Sequence, residues 1–223
     1  MAEAITRGFL VALTGGSGSG KSTVVDALLD RLGPGRAVVI AEDDYYWPIA
    51  HFDSASGPID YDAPTAKDVT RLGSDLSRLK AGETVDLPIY DYARHDRSGR
   101  TRRVSPAPVI LLEGIHALSM PDLAPLIDLS IYVDTPDDLR LARRLRRDVL
   151  ERGRSVESVL EQYLATVRPA HYRYTFPAKF QADLVIADEG LPAYGDVKPS
   201  KGAIERMLAP IMERLWHEGL MGA

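Results

Sequence analysis

With 223 residues the chain can bury one sizeable core but is short for two independent ligand-binding domains, and a net charge of −5 disfavours a nucleic-acid binder, which needs a basic surplus. The absence of cysteine excludes disulfides and cysteine-based zinc sites. The first apolar run, residues 8–13, is too short to cross a membrane and runs into Gly15-Gly16, so a cytoplasmic address with no membrane partner is expected. Runs rich in Val, Ile and Leu then recur at residues 9–13, 37–41, 109–112, 129–133 and 184–187, each reading as a buried parallel strand. Helix-period stretches lie at 22–32, 67–80, 136–151, 156–167 and 201–217. The alternation predicts an α/β fold with a doubly wound parallel sheet in one domain spanning residues 1–223. Thr135 as cap, Pro136 in the first turn and Asp138 at capping-box spacing announce the helix at 136–151. Residues 85–104 break the rhythm and predict an inserted β-hairpin turning at Asp96-Arg97-Ser98-Gly99.

The most specific motif is Gly15-Gly16-Ser17-Gly18-Ser19-Gly20-Lys21-Ser22, followed by Thr23, which fits G-x-x-x-x-G-K-[ST]. A strand ends just before it and a helix begins at Lys21, so backbone N–H groups and the helix N-terminus converge on one point, as phosphate binding requires. That context separates it from an idle Gly/Ser turn. The motif points to a nucleoside triphosphate with Mg²⁺, Lys21 bridging its β- and γ-phosphates and Ser22 supplying a metal ligand. Glu113, at the end of the 109–112 strand, is the expected acidic companion for Mg²⁺ or for orienting water; the bland alternative is a solvated strand-end glutamate.

A phosphate loop alone does not distinguish kinases from nucleotide switches. The second strand delivers Glu42-Asp43-Asp44-Tyr45-Tyr46 to the edge where ligands of open α/β sheets bind, and a carboxylate there can take a proton from an attacking hydroxyl. A solvated acidic loop has the same composition. From Ala37 to Ala66 there is no Lys or Arg, whereas Glu42, Asp43, Asp44, Asp53, Asp60 and Asp62 are acidic, which suits a neutral polyol and repels a phosphorylated acceptor. Tyr45, Tyr46, Tyr61, Tyr90 and Tyr92 offer flat surfaces for a base, or ordinary rim packing. Further on, Arg140, Arg143, Arg144, Arg146, Arg147, Arg152 and Arg154 surround a leucine face made of Leu141, Leu145 and Val149. Residues 139–166 read as an arginine-rich helical lid, bent at Gly153, that excludes water on closure; a solvated basic helix is the alternative.

Over residues 8–187 the chain resembles the uridine/cytidine kinases of the phosphoribulokinase and uridine kinase group. The Asp-x-[Phe/Tyr]-Tyr motif of that group falls on Asp43-Asp44-Tyr45-Tyr46, the Asn-[Phe/Tyr]-Asp-His-Pro box on Asp60-Tyr61-Asp62-Ala63-Pro64, and the Pro-x-Tyr-[Asp/Ser]-[Phe/Tyr]-x-x-His segment on Pro88-Ile89-Tyr90-Asp91-Tyr92-Ala93-Arg94-His95. Leu112-Glu113-Gly114-Ile115 and the stretch from Arg143 through Asp148 to Arg154 resemble two further boxes. The resemblance implies a P-loop kinase that phosphorylates the 5′-hydroxyl of uridine and cytidine, with Asp43 as catalytic base and Tyr46 beside it. Asp62 would contact ribose, Tyr90 and His95 the base, Arg144, Arg154 and Gln162 the nucleoside, and Arg147 and Arg152 the phosphates. It also implies a homo-oligomer, commonly a tetramer. The sequence departs at Asp60, at Ala63 and at Ala187-Asp188-Glu189-Gly190, the last where the chain passes the donor base, so that the donor is ATP or GTP.

Three rival readings stay open on the residues. A phosphoribulokinase would need to hold a sugar phosphate against an acidic acceptor region, and a pantothenate-kinase-like enzyme is a weaker match. A catalytically silent P-loop regulator would keep Lys21 but has no use for Asp43, Tyr90, His95 and the arginines together.

Overall fold

The computed structural model describes residues 7–52, 59–92, 94–188 and 199–221. Five strands form one parallel sheet in the order β2-β5-β1-β6-β7: β1 (Phe9–Thr14), β2 (Ala37–Ala41), β5 (Val109–Glu113), β6 (Leu129–Asp134) and β7 (Leu184–Ala187). Both faces of this sheet are covered, which is why its strands are apolar throughout rather than alternating. In β1, Leu10 and Ala12 point into one core and Val11 and Leu13 into the other, as the two-residue period of a strand demands. Helices α1 (Lys21–Leu32) and α6 (Lys201–His217) cover one face through Val24, Val25, Leu28, Met207, Leu208, Ile211 and Leu215. On the other face lie α2 (Val69–Lys80), through Leu72, Leu76 and Leu79, and a hairpin of β3 (Val85–Asp91) and β4 (Asp96–Val104), through Val85, Leu87 and Val104. No helix among the described residues is long and apolar enough to cross a membrane.

The hairpin occupies the expected residues but turns elsewhere. Asp91 pairs with Asp96, so the reversal is at residues 92–95, tightened by Arg94 N donating to Asp91 O at 3.2 Å, with His95 in the left-handed region at φ 50°. The Ser98-Gly99 pair lies inside β4 instead, where the register shifts between Pro88 and Tyr90; Gly99, at φ 72°, absorbs the extra residues as a bulge.

The arginine-rich segment departs further from its sequence reading. Helix α3 (Asp137–Leu150) begins at Pro136 with no side-chain cap, and Thr135 Oγ1 donates to Ser19 O at 2.9 Å, tying the helix entry to the phosphate loop. Its buried residues are Arg140, Arg144 and Asp148, while Leu141, Leu145 and Val149 are half-buried and Leu150 is 70% exposed. The charged stripe, not the leucine face, therefore packs inward, because its neighbours are backbone carbonyls and polar groups of the site. Beyond α4 (Val156–Gln162) the chain does not stop at residue 167. It continues helically through a π turn at Tyr163–Val167, α5 (Arg168–Ala170), a second π turn at His171–Thr175 and a 3₁₀ turn at Phe176–Phe180.

Candidate active site

Parallel strands deliver their C-terminal ends to one edge. Glu113 pairs in register with Leu13 on one side and Ala41 on the other, so the loop after β1, the acids after β2 and Glu113 of β5 are lateral neighbours, spaced by about 5 Å per strand. The edge lies where the strand order switches: the connection from β1 runs to β2 on one side, and that from β5 crosses β1 to β6 on the other.

Gly15, Gly18 and Gly20 of the phosphate loop have φ of 153°, 81° and 88°, and Gly20 is the N-cap of α1. Beyond backbone freedom, absence of side chains is needed for packing. A Cβ on Gly16 would sit 2.1 Å from Arg140 Nη1, and one on Gly18 would sit 2.4 Å from Arg140 O. Lys21 curls over the loop and its Nζ donates to Gly15 O at 2.9 Å and Gly16 O at 3.2 Å. Burial lowers its ammonium to about 8, against the pull of Glu113, Glu42 and Asp43. Ser22 Oγ donates to Glu113 Oε2 at 3.0 Å. Burial raises the Glu113 carboxyl, and Ser22 and Lys21 oppose that. Thr23 follows in the first turn of α1.

After β2 the chain makes a single 3₁₀ turn, Glu42–Tyr45, in which Glu42 and Tyr45 are buried. Glu42 is fully buried: its carboxylate fills the space that Gly114 leaves, where a Cβ would meet it at 1.9 Å, and accepts from His116 N at 2.9 and 3.0 Å and from Lys67 Nζ at 2.7 Å. Asp43 points to the site, with its side chain 49% exposed and Oδ1 bound to Lys67 Nζ. Burial would raise the Asp43 carboxyl, but Lys67 above all, with Lys21 and His116, holds it below the ordinary carboxylate range. Lys67 corrects the picture of an uncompensated acidic region: it lies one residue past the cation-free stretch and neutralises part of it, while Arg97 Nη2 meets Asp68 at 2.8 Å and Arg102 Nη2 lies 4.0 Å from Asp44. Asp53 falls outside the described residues.

Asp62 accepts from Thr166 Oγ1 at 2.6 Å, and its carbonyl lies 2.7 Å from His116 Nε2, beneath a small cleft bordered by Gly16, Ser17, Ile115 and His171. Tyr46 donates to Tyr61 O at 3.1 Å and its ring lies 5.3 Å from that of Tyr90. The Tyr90 hydroxyl is buried and unpartnered, and the exposed His95 ring stacks on Tyr61 at 5.1 Å. Tyr90, Tyr46, Tyr61 and His95 are thus joined in one aromatic chain, and Asp62 is the residue after Tyr61.

The arginines divide. Arg144 Nη1 donates to Ser17 Oγ at 2.9 Å and its Nη2 to Gln162 Oε1 at 2.9 Å, so it stands at the phosphate loop. Arg154 Nη1 meets the same Gln162 oxygen at 2.6 Å. Arg147 and Arg152 do not reach the loop: both are held by Asp148 Oδ1, at 2.8 and 3.3 Å. Asp148 is fully buried and also lies within 4 Å of Arg144 and Arg154. Lys67, Asp148 and His116 carry no motif that marks them in the sequence as site residues, whereas Arg140 belongs to the arginine cluster and stands at i, i+4, i+8 spacing with Arg144 and Asp148. Asp188 is buried against Arg143 at 2.6 Å, and Glu189-Gly190, the donor-side departure, lies outside the described residues.

Comparison with known proteins agrees with this layout. The chain is 46% identical over 182 residues to a protein named uridine kinase from Chloroflexus aurantiacus, covering 81% of this chain and 87% of that one. A uridine kinase from Borreliella burgdorferi is 41% identical over 181 residues, covering 81% and 87%. The solved phosphoribulokinase of Rhodobacter spheroides superposes with a TM-score of 0.60 over 88% of this chain and 75% of that one, and at 19% identity it shows the fold alone. The model of the phosphoribulokinase / uridine kinase family matches residues 10–191, and with a phosphate loop, a strand-end carboxylate and an arginine helix converging on one sheet edge, the chain belongs to that family.

Proposed function

We propose that this protein transfers the γ-phosphate of ATP to the 5′-hydroxyl of uridine and cytidine in the cytoplasm. The observation that carries the reading is the half-exposed Asp43 carboxylate, held ionised at the end of β2, on the same sheet edge as the phosphate loop and Lys21 with Glu113 of β5 between them. In the reaction the acceptor oxygen attacks the γ-phosphorus, the bond to the β,γ-bridging oxygen breaks, and the hydroxyl proton passes to Asp43. Lys21 would leave the Gly15 and Gly16 carbonyls for the phosphates, and residues 15–23 would wrap them with backbone N–H groups. Ser22 and Glu113 fit Mg²⁺: a hydroxyl and a carboxylate 3.0 Å apart are hard oxygen donors, and Mg²⁺ completes its shell with water and phosphate oxygens rather than with a protein cage. When bound, that ion would neutralise charge on the β- and γ-phosphates.

On the acceptor side, Asp62 suits the ribose hydroxyls, and Tyr90 and His95, linked through the Tyr61 and Tyr46 rings, suit a pyrimidine. Arg144, Arg154 and Gln162 form one hydrogen-bonded group between loop and lid that fits the nucleoside end. Arg147 and Arg152 would leave Asp148 for the phosphoryl group as the lid beyond the first turns of α3 closes. The relatives named uridine kinase support the choice of nucleoside over sugar phosphate or pantothenate. An ADP-release assay with uridine, cytidine, ribulose 5-phosphate and pantothenate, run with ATP and with GTP, tests it. Turnover confined to the two nucleosides is expected, and turnover with either other acceptor alone overturns it.

A further inference from the structure

Lys67 has no part in the reaction as described above, yet it is the most completely buried cation at the acceptor edge, its side chain 0% exposed. Its backbone is pinned by a bridge to Tyr46 and by Lys67 N donating to Pro64 O at 3.2 Å. Its Nζ donates to Glu42 Oε1 at 2.7 Å and lies 4.3 Å from the centre of the Tyr46 ring. Glu42 is in turn immobilised by His116 N and by the space at Gly114. One buried carboxylate requires one cation, and Glu42 would account for Lys67 by itself. The ammonium nevertheless also binds Asp43 Oδ1, on a side chain exposed enough to be solvated without it.

We propose that Lys67 is a positioning residue for phosphoryl transfer: anchored on Glu42, it holds Asp43 by Oδ1 in one orientation at the end of β2 and leaves Oδ2 to meet the acceptor hydroxyl. The inference rests on Asp43 being the base. The charged and titratable groups around Asp43 are Lys67, Lys21 and His116, which favour its ionised form, the carboxylates of Asp44 and Glu113, and the hydroxyls of Tyr46 and Tyr92. With Lys67 gone, Asp43 loses the cation that most favours its ionised form, so its carboxyl rises.

The test is the double variant Glu42→Gln/Lys67→Met, which removes both buried charges and keeps an acceptor for His116 N, compared with Lys67→Met alone. With uridine and ATP the double variant is expected to lose about tenfold or more in kcat with KM for uridine changed by less than about threefold. The acid limb of its kcat/KM profile should move up by about one pH unit or more. Wild-type kcat with an unshifted limb overturns the proposal and leaves Lys67 as a counterion for Glu42; a lower kcat with an unshifted limb also overturns it, as the mark of a merely damaged site. If neither variant folds, a ¹³C-carboxyl titration of the wild-type protein decides: Asp43 should stay ionised below the ordinary carboxylate range, and titration within or above that range overturns it. The same titration reads the Lys67–Asp43 contact even in a wild-type protein inactive on nucleosides, so failure of the functional reading is separable from failure of this one.

Discussion

A base is most effective when its pKa lies near the working pH, and Asp43 is held below even the ordinary carboxylate range, so its contribution is weighted toward orienting the hydroxyl and receiving the proton late. Asp43→Asn keeps the shape and removes the acceptor; kcat for uridine should fall about 10²-fold while nucleoside affinity, read by calorimetry, stays within a few-fold of wild type. Lys21 carries the opposite perturbation. Its ammonium, lowered to about 8 by burial, is partly neutral above that pH in the free protein, whereas a bound triphosphate favours the charged form. Donor binding should therefore take up a proton at and above pH 8 and weaken as pH rises. Calorimetry at pH 8.5 in buffers of different ionisation enthalpy checks it, and heats independent of buffer would contradict it. Lys21, Ser22, Glu113 and Asp43 were legible in the sequence because strand ends and a spaced motif place them with little help from tertiary packing. Lys67 was not, since nothing local indicates that a lysine ahead of an N-cap turns back under the preceding strand.

Among the elements, the strands could be read because burial on both faces leaves a continuous apolar run, and such runs tolerate few other interpretations. Helix α3 misled for a physical reason: amphipathic reasoning assumes that leucines face inward, whereas this helix lies over a polar floor and turns Arg140, Arg144 and Asp148 toward it. Asp148 then serves as a common counterion for Arg144, Arg147, Arg152 and Arg154, which no periodicity reveals. The π turns at Tyr163–Val167 and His171–Thr175 were equally invisible, though they bring Thr166 to Asp62 and His171 to Gly16. The hairpin was placed correctly and its reversal was not, because Ser98-Gly99 is good turn chemistry spent on a bulge. That shift puts His95 at the tip, in a left-handed conformation and stacked on Tyr61. An imidazole there can meet a C4 carbonyl or a C4 amino group by exchanging tautomers. His95→Gln should change the ratio of kcat/KM for uridine and cytidine by about fivefold, the worth of one hydrogen bond, and an unchanged ratio with unchanged KM values would remove His95 from the pocket.

Taken as a whole molecule, the fold concentrates its buried charge near the C-terminal edge of the sheet, and stability there follows pH. His171 is 6% exposed beside Arg140, and burial first, then Arg140, lowers its imidazole from 6.5 to about 4. A histidine whose folded pKa lies below its unfolded one stabilises the fold only where it is neutral in both states. That contribution is complete above pH 6.5 and disappears as pH falls toward 4, a change of about 3 kcal/mol. Urea unfolding at pH 7.5 and pH 4.5 should show a smaller acid loss for His171→Gln than for wild type; equal losses would contradict the assignment. The same region constrains motion. Because Gly16 and Gly18 let Arg140 settle directly on the phosphate loop, and Thr135 is tied to Ser19, the first turns of α3 and the loop behave as a single rigid block. Any swing of the arginine segment over bound substrate therefore leaves that block in place and is confined to the lid beyond the first turns of α3, which carries Arg147, Arg152 and the bend at Gly153 with its φ of 66°. Opening to release product need not disturb the grip on the donor phosphates, so the two substrates can exchange on separate clocks.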